Sequence, residues 1–158
     1  MKPHPIRYYR RNSPQALARV LFMLMIGDGR LGRREIDALA SLQAFRLLGI
    51  KRSIFVEVAH SFCADLLAAE DADGRIQLLD PDRIDRVLAA VDDSKKRILV
   101  CVLALNVLAA EDGLSAVELD MFKHVLTRWN LRIDDLYQRL LRATEPTPER
   151  GAPLRLAA

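Results

Sequence analysis

The run from Ile98 to Ala110, ILVCVLALNVLAA, would be apolar nearly all the way round if it were helical. Such a helix cannot lie on a surface with one side in water; other helices have to surround it. At 13 residues it also falls short of the roughly 20 apolar residues that cross a bilayer. The run therefore asks for a helical bundle with this segment at its centre. Asn106 is its polar exception and, if buried, needs a hydrogen-bond partner.

The rest of the chain supplies helices to surround it. Ala and Leu are abundant and lose little on entering a helix. Val and Ile do not alternate with polar residues over long stretches, so strands are poorly supported. Ser13-Pro14 reads as N-cap and first helical residue of a helix that stops at Gly27-Asp28-Gly29. A second helix is expected from about Arg33 to Leu48, ended by Gly49, and a third from near Arg52 to before Asp71. Asp80-Pro81 opens a fourth, and Asp92-Asp93-Ser94 opens the fifth, which contains the apolar run. A sixth starts at Ser115 and ends near Trp129-Asn130, and a seventh covers about Ile133 to Ala143. The expected fold is all-α, a single compact bundle of about seven helices with two pseudo-repeated helical hairpins. The 158 residues suit one domain. Residues 1–12 read as a basic N-terminal arm, 13–144 as the helical domain, and 145–158, with Pro146, Pro148, Gly151 and Pro153, as a disordered tail.

Composition removes several function classes. A net charge of +3 is too small for a dense nucleic-acid-binding face. The basic residues Lys2, Arg7, Arg10 and Arg11, with Tyr8 and Tyr9 between them, read as a solvated arm, with contact to an acidic partner or a phosphate surface as the alternative. Cys63 and Cys101 lie in apolar helical patterns and read as small buried hydrophobes, in keeping with a reducing, cytoplasmic compartment. Arg10-Arg11 ahead of Ala16–Ile26 has the outline of an export signal, but Arg19 interrupts the run and Gly27-Asp28-Gly29 is a poor cleavage site. No membrane span is expected. His4, His60 and His124 are scattered, with His60 and His124 off the apolar stripes, and Ser61 and Ser94 lack a nucleophile-elbow context. An enzyme is therefore not expected. Lys95-Lys96-Arg97 reads as a solvated first turn, and Trp129 as core alongside Leu119, Phe122, Val125 and Leu126. Asp71-Ala72-Asp73-Gly74 has the look of a calcium loop, but the fifth and twelfth positions hold Arg75 and Asp82 where acids are required, so it reads as a turn.

A weak internal repeat carries the functional signal. When Leu17–Ile50 is laid over Val100–Ile133 without gaps, Leu31 meets Leu114, Glu35 meets Glu118, Asp37 meets Asp120 and Ile50 meets Ile133. Both segments run apolar helix, acidic-glycine turn, glutamate, second helix, and Asp28 faces Glu111. Glu35 shares a helical face with Leu39 and Leu42, and Glu118 with Phe122 and Val125, so each glutamate lies on an apolar stripe. Two explanations remain open. Ser115-Ala116-Val117-Glu118 is a capping box, and Gly32-Arg33-Arg34-Glu35 a weaker version of it, with acid in the first turn favoured by the helix dipole. Alternatively the carboxylates also ligate a hard divalent cation, Ca²⁺ or Mg²⁺, which takes oxygen ligands. Asp28 with Glu35, and Glu111 or Asp112 with Glu118, would supply them if the two hairpins meet.

The stretch Met25-Ile26-Gly27-Asp28-Gly29-Arg30-Leu31-Gly32-Arg33-Arg34-Glu35 resembles the signature of the tellurite-resistance TerB-like family: a small residue, Asp-Gly, an apolar residue and a Glu seven after the Asp. Ala109-Ala110-Glu111-Asp112-Gly113-Leu114-Ser115-Ala116-Val117-Glu118 resembles its second copy. The resemblance spans roughly Pro14 to Ala143, and the family includes a related domain of a membrane-anchored DnaJ-type co-chaperone. It implies a bundle of about seven helices, non-enzymatic roles in responses to metal oxyanions or other stresses, and assembly with protein partners at the inner membrane surface. The family positions carried over are Asp28, Glu35 and Glu118. The second copy departs from the pattern, since Asp112-Gly113 lies six residues before Glu118 and Glu111 takes the Asp place. His4-Pro5-Ile6 lacks the acid of a co-chaperone His-Pro-Asp triplet. Two functions follow: a cation-responsive module, or a metal-free scaffold that offers a helical groove to a protein partner.

Overall fold

The computed structural model describes residues 6–26, 33–68, 81–109 and 115–144. Within them the chain forms α1 (Pro14–Met25), α2 (Arg33–Ser41), α3 (Ala44–Leu48), α4 (Arg52–Ala68), α5 (Pro81–Ala89), α6 (Ser94–Ala109), α7 (Ala116–Arg128) and α8 (Ile133–Thr144). The bundle is all-α, as expected. Asp71–Gly74 and the segment 145–158 lie outside the described residues.

Local chemistry sets most helix ends. The Ser13 hydroxyl accepts from the Ala16 amide at 3.2 Å, and Pro14 follows it where its missing N–H costs nothing. Asp93 accepts from the Lys96 amide at 3.0 Å ahead of α6. Gly49 ends α3 in the left-handed region, at φ 74°, where glycine has no Cβ penalty.

One expected helix is two. The span 33–48 breaks at Gln43, which takes φ 56°. The reason lies in which side chains must be buried. At about 100° per residue, Ala44 and Leu48 fall about 140° and 180° round from Leu39 on a straight helix. All three are buried, at 0%, 3% and 0% exposure for Ala44, Leu48 and Leu39. The left-handed residue re-aims the chain, so that α2 buries Ile36 and Leu39 while α3 buries Ala44 and Leu48.

The centre belongs to α1 rather than to the apolar run of α6. Every residue from Ala16 to Ile26 is at most 3% exposed. α1 packs against α3, α4, α5, α6 and α7. α6 lies along it, burying Val100, Cys101, Leu103, Ala104, Val107 and Leu108, but Ile98, Leu99, Val102 and Leu105 are only half-buried. Asn106, also half-buried, donates to the Val102 carbonyl one turn back at 3.0 Å. Phe22 sets its edge against Phe62 of α4 at 5.9 Å, and each fully buried large side chain of this kind contributes about 1.5–3 kcal/mol. No helix among the described residues is long and apolar enough to cross a membrane.

Candidate functional sites: the paired acidic turns and an arginine-lined cavity

The two halves of the repeat are α1–α2 and α6–α7, each linked through an acidic segment, 27–32 and 110–114, that lies outside the described residues. The halves meet. α1 packs on α6, and each also touches the second helix of the other half, α1 on α7 and α2 on α6. The four helices that flank the acidic turns therefore form one packed unit.

Glu118 sits where the capping box requires. Its Oε1 accepts from the Ser115 amide at 3.2 Å, while the Ser115 hydroxyl accepts from the Glu118 amide at 3.2 Å. The side chain is 8% exposed, and Glu118 and Arg19 are the buried charged residues of the described core. Glu35 occupies the first turn of α2 and is half-buried. Asp28, Glu111 and Asp112 lie outside the described residues. Among the described residues no three His, Cys, Asp or Glu side chains group closely enough to hold a metal ion. A cation centre at the turns thus needs ligands from Asp28, Glu111 or Asp112 beside the two glutamates.

The second site lies where the N-terminal arm meets α1 and the end of α5, and was not expected. From residue 6 onward the arm is tied to the bundle: Ile6 and Tyr9 pack against the core, while Arg7, Tyr8, Arg10 and Arg11 stay exposed. Arg7 holds Asp65 of α4 through two nitrogens, Nε at 3.0 Å and Nη2 at 2.9 Å, and this hydrogen bond raises the already high guanidinium pKa. Asn12, at φ 60°, donates its backbone N–H to the Ala90 carbonyl at 2.8 Å. Its side-chain oxygen accepts from the amides of Asp92 and Asp93 at 2.9 and 3.1 Å, and its amide nitrogen donates to the Asp92 carboxylate. That donor first, with Arg11 beside it, holds the Asp92 carboxyl below the usual range. The reason is physical: a short segment carrying three arginines and an asparagine finds carboxylates and carbonyls on α4 and at the end of α5.

Beneath the arm Arg19 is 3% exposed in the middle of α1. Its guanidinium stacks over the Tyr9 ring at 4.6 Å and donates to the Arg7 carbonyl at 2.6 Å. Its Nε is buried with no hydrogen-bond partner. Burial pushes its pKa down, yet an arginine stays protonated, so the positive charge remains. Burial is also what raises the Tyr9 pKa. Between the arm, α1 and the end of α5 lies a cavity of about 390 Å³. Arg7, Arg11, Arg19 and Arg86 all line it, with Tyr9 and Ala90 among the apolar parts of its wall. The lone arginine within Ala16–Ile26 was the signal for this site, although it first reads only as an interruption of an apolar run.

Three smaller corrections follow from the packing. His124 is half-exposed but not isolated: its Nε2 lies 3.1 Å from Asp85 of α5, which also pairs with Arg128 Nε at 3.4 Å. In the basic run of α6, Lys96 donates to the Asn12 carbonyl at 3.1 Å, and Arg97 donates to the Val91 carbonyl at 2.9 Å and stacks over Trp129 at 5.2 Å. Leu119 does not join the buried stripe of α7; it is 38% exposed, while Met121 is buried in its stead. Trp129 is core, at 5% exposure. Both thiols are free. Cys101 is fully buried and burial pushes its pKa up to about 12, while Cys63 is half-buried with a pKa raised by the same cause. A raised pKa suppresses the thiolate and makes both poor nucleophiles.

Set against known proteins, the chain matches no family model, no curated protein and no solved structure.

Proposed function

We propose that the chain is a non-enzymatic helical module of the TerB-like kind, acting in stress responses through a divalent cation, Ca²⁺ or Mg²⁺, held at its paired acidic turns. The observation that carries this reading is the packing of the two repeat halves on one another, α1 on α6, α1 on α7 and α2 on α6. Cation ligation by both turns was conditional on that meeting. A carboxylate has two oxygens, so a capping bond to Oε1 of Glu118 is compatible with a second partner.

The test is calorimetric titration of chelator-treated protein with Ca²⁺ and Mg²⁺, repeated on Glu35→Gln/Glu118→Gln. Gln at the third helical position preserves the capping bond, so the double variant removes ligand charge while leaving the helix start intact. The expected outcome is micromolar binding by the wild type and at least a roughly tenfold loss in the variant, since a hard cation strongly prefers charged oxygen. Wild type that binds neither ion would remove the cation.

The second reading, a metal-free protein-interaction scaffold, is favoured by one observation. Large apolar side chains are exposed along the start of α7 and on α8: Val117, Leu119, Ile133 and Tyr137 at 37%, 38%, 59% and 62%. An apolar surface of this kind suits a protein partner.

A further inference from the structure

The cavity beneath the N-terminal arm is lined by more positive charge than the carboxylates paired with it neutralise. Of the four arginines in its wall, Arg7 is matched by Asp65 and Arg11 by Asp92 at 3.1 Å. Arg19 and Arg86 have no ion-pair partner among the described residues. Arg19 is the more telling of the two. A buried guanidinium costs several kcal/mol unless its donors are met. Here the Arg7 carbonyl meets one and the Tyr9 ring offers its face, while Nε stays unpartnered. The arm residues that cover it also complete the cavity, so the charge is enclosed at a wall rather than sealed in a solid core. The volume, about 390 Å³, falls within the range of small-molecule sites, roughly 300–1,000 Å³.

We propose that this cavity binds a small organic anion, one carrying a phosphate or carboxylate on an apolar or aromatic body. The oxyanion would be taken by Arg86, whose planar guanidinium fork matches two oxygens at once, and by the part of the Arg19 guanidinium that the Arg7 carbonyl leaves free at the wall. The body would lie against Tyr9, Ala89 and Ala90, the apolar part of the wall. Arg7 and Arg11, already paired, position the arm over the site. This site is separate from the acidic turns, and it stands or falls independently of cation binding there.

The test uses the full chain, with chloride adjusted to constant ionic strength, titrated with inorganic phosphate, phenyl phosphate and benzoate. Binding is followed by calorimetry and by the shift in thermal midpoint. Three variants accompany it. Arg86→Ala removes an exposed cavity arginine; Arg19→Met removes the buried charge while keeping an unbranched apolar stem; Arg132→Ala removes an exposed arginine elsewhere. The expected result is one phenyl phosphate or benzoate bound per chain. Arg86→Ala should weaken it about tenfold, the usual effect of one charge-assisted hydrogen bond. Arg19→Met should abolish the ligand-induced shift while raising the midpoint of the ligand-free protein, and Arg132→Ala should bind as wild type. No saturable binding of any probe would overturn the proposal. So would an equal loss in Arg132→Ala and Arg86→Ala, which is the signature of diffuse charge attraction. Equal affinity for inorganic and phenyl phosphate would overturn the organic part, because the apolar wall would then contribute nothing.

Discussion

The two halves of the repeat share a register but not a way of packing. In α7 the buried stripe runs straight, through Glu118, Met121, Phe122, Val125 and Trp129. The equivalent positions of the first half are Glu35, Ala38, Leu39, Leu42 and Arg46. Of these only Leu39 is fully buried, and Arg46 is exposed. A straight continuation of α2 would carry Arg46 to the place Trp129 fills, and an unpaired guanidinium there would be costly. The left-handed turn at Gln43 avoids this, leaving Arg46 in solvent and taking Ala44 and Leu48 inward. Position 36 is buried where its counterpart 119 is exposed. The comparison teaches that a repeated motif fixes where the second helix starts, at Arg33 and at Ala116 in the same register, because capping chemistry is local. The remainder of each hairpin follows the partners it meets.

The largest expected effect tests the shared position. Leu39→Ala should cost about 2–5 kcal/mol and Phe122→Ala about 3–5 kcal/mol in urea unfolding, since both side chains are buried and leave cavities. The asymmetric pair should separate: Ile36→Ala should cost about 2 kcal/mol or more, and Leu119→Ala under about 1 kcal/mol. Equal costs at 36 and 119 would break the comparison, because they would mean that the halves pack alike after all.

A smaller effect sharpens it at the helix starts. Ser115→Ala should cost about 1 kcal/mol by removing the hydroxyl that holds the Glu118 amide. Glu35→Ala should cost only about 0.5 kcal/mol, the worth of one acid near a helix N-terminus. A Glu35 effect as large as that of Ser115 would show that the first turn relies on its glutamate far more than the second half does.

What the sequence made legible follows the same division. The caps at Ser13-Pro14 and Ser115–Glu118 could be read because donor and acceptor lie within three residues. The fold class could be read because Ala16–Ile26 and Ile98–Ala110 leave no polar face for water. The arm could not, because its partners are remote: Arg7 reaches Asp65 across 58 positions and Asn12 reaches Asp92 across 80. His124 and Asp85, 39 positions apart, escaped for the same reason. Which of two apolar helices becomes the hub was also illegible, since α6 is the more uniformly apolar of the two while α1 carries Arg19. In the structure the arm supplies a carbonyl and a ring to that arginine, which is compatible with enclosing α1. The candidate cation site was legible as composition, in the acids of the two turns, and the cavity only as one misplaced charge.

The most direct test of the account is whether the two turns act as one. Titrating Mn²⁺ into nitrogen-labelled protein broadens the amides close to the bound ion, and Mn²⁺ takes the same oxygen ligands as Ca²⁺ and Mg²⁺. If the paired hairpins share a cation, the amides of Glu35 and Ile36 and those of Ser115 and Glu118 should broaden together, at the same substoichiometric ratio. Broadening of one set without the other, or of neither, would contradict it.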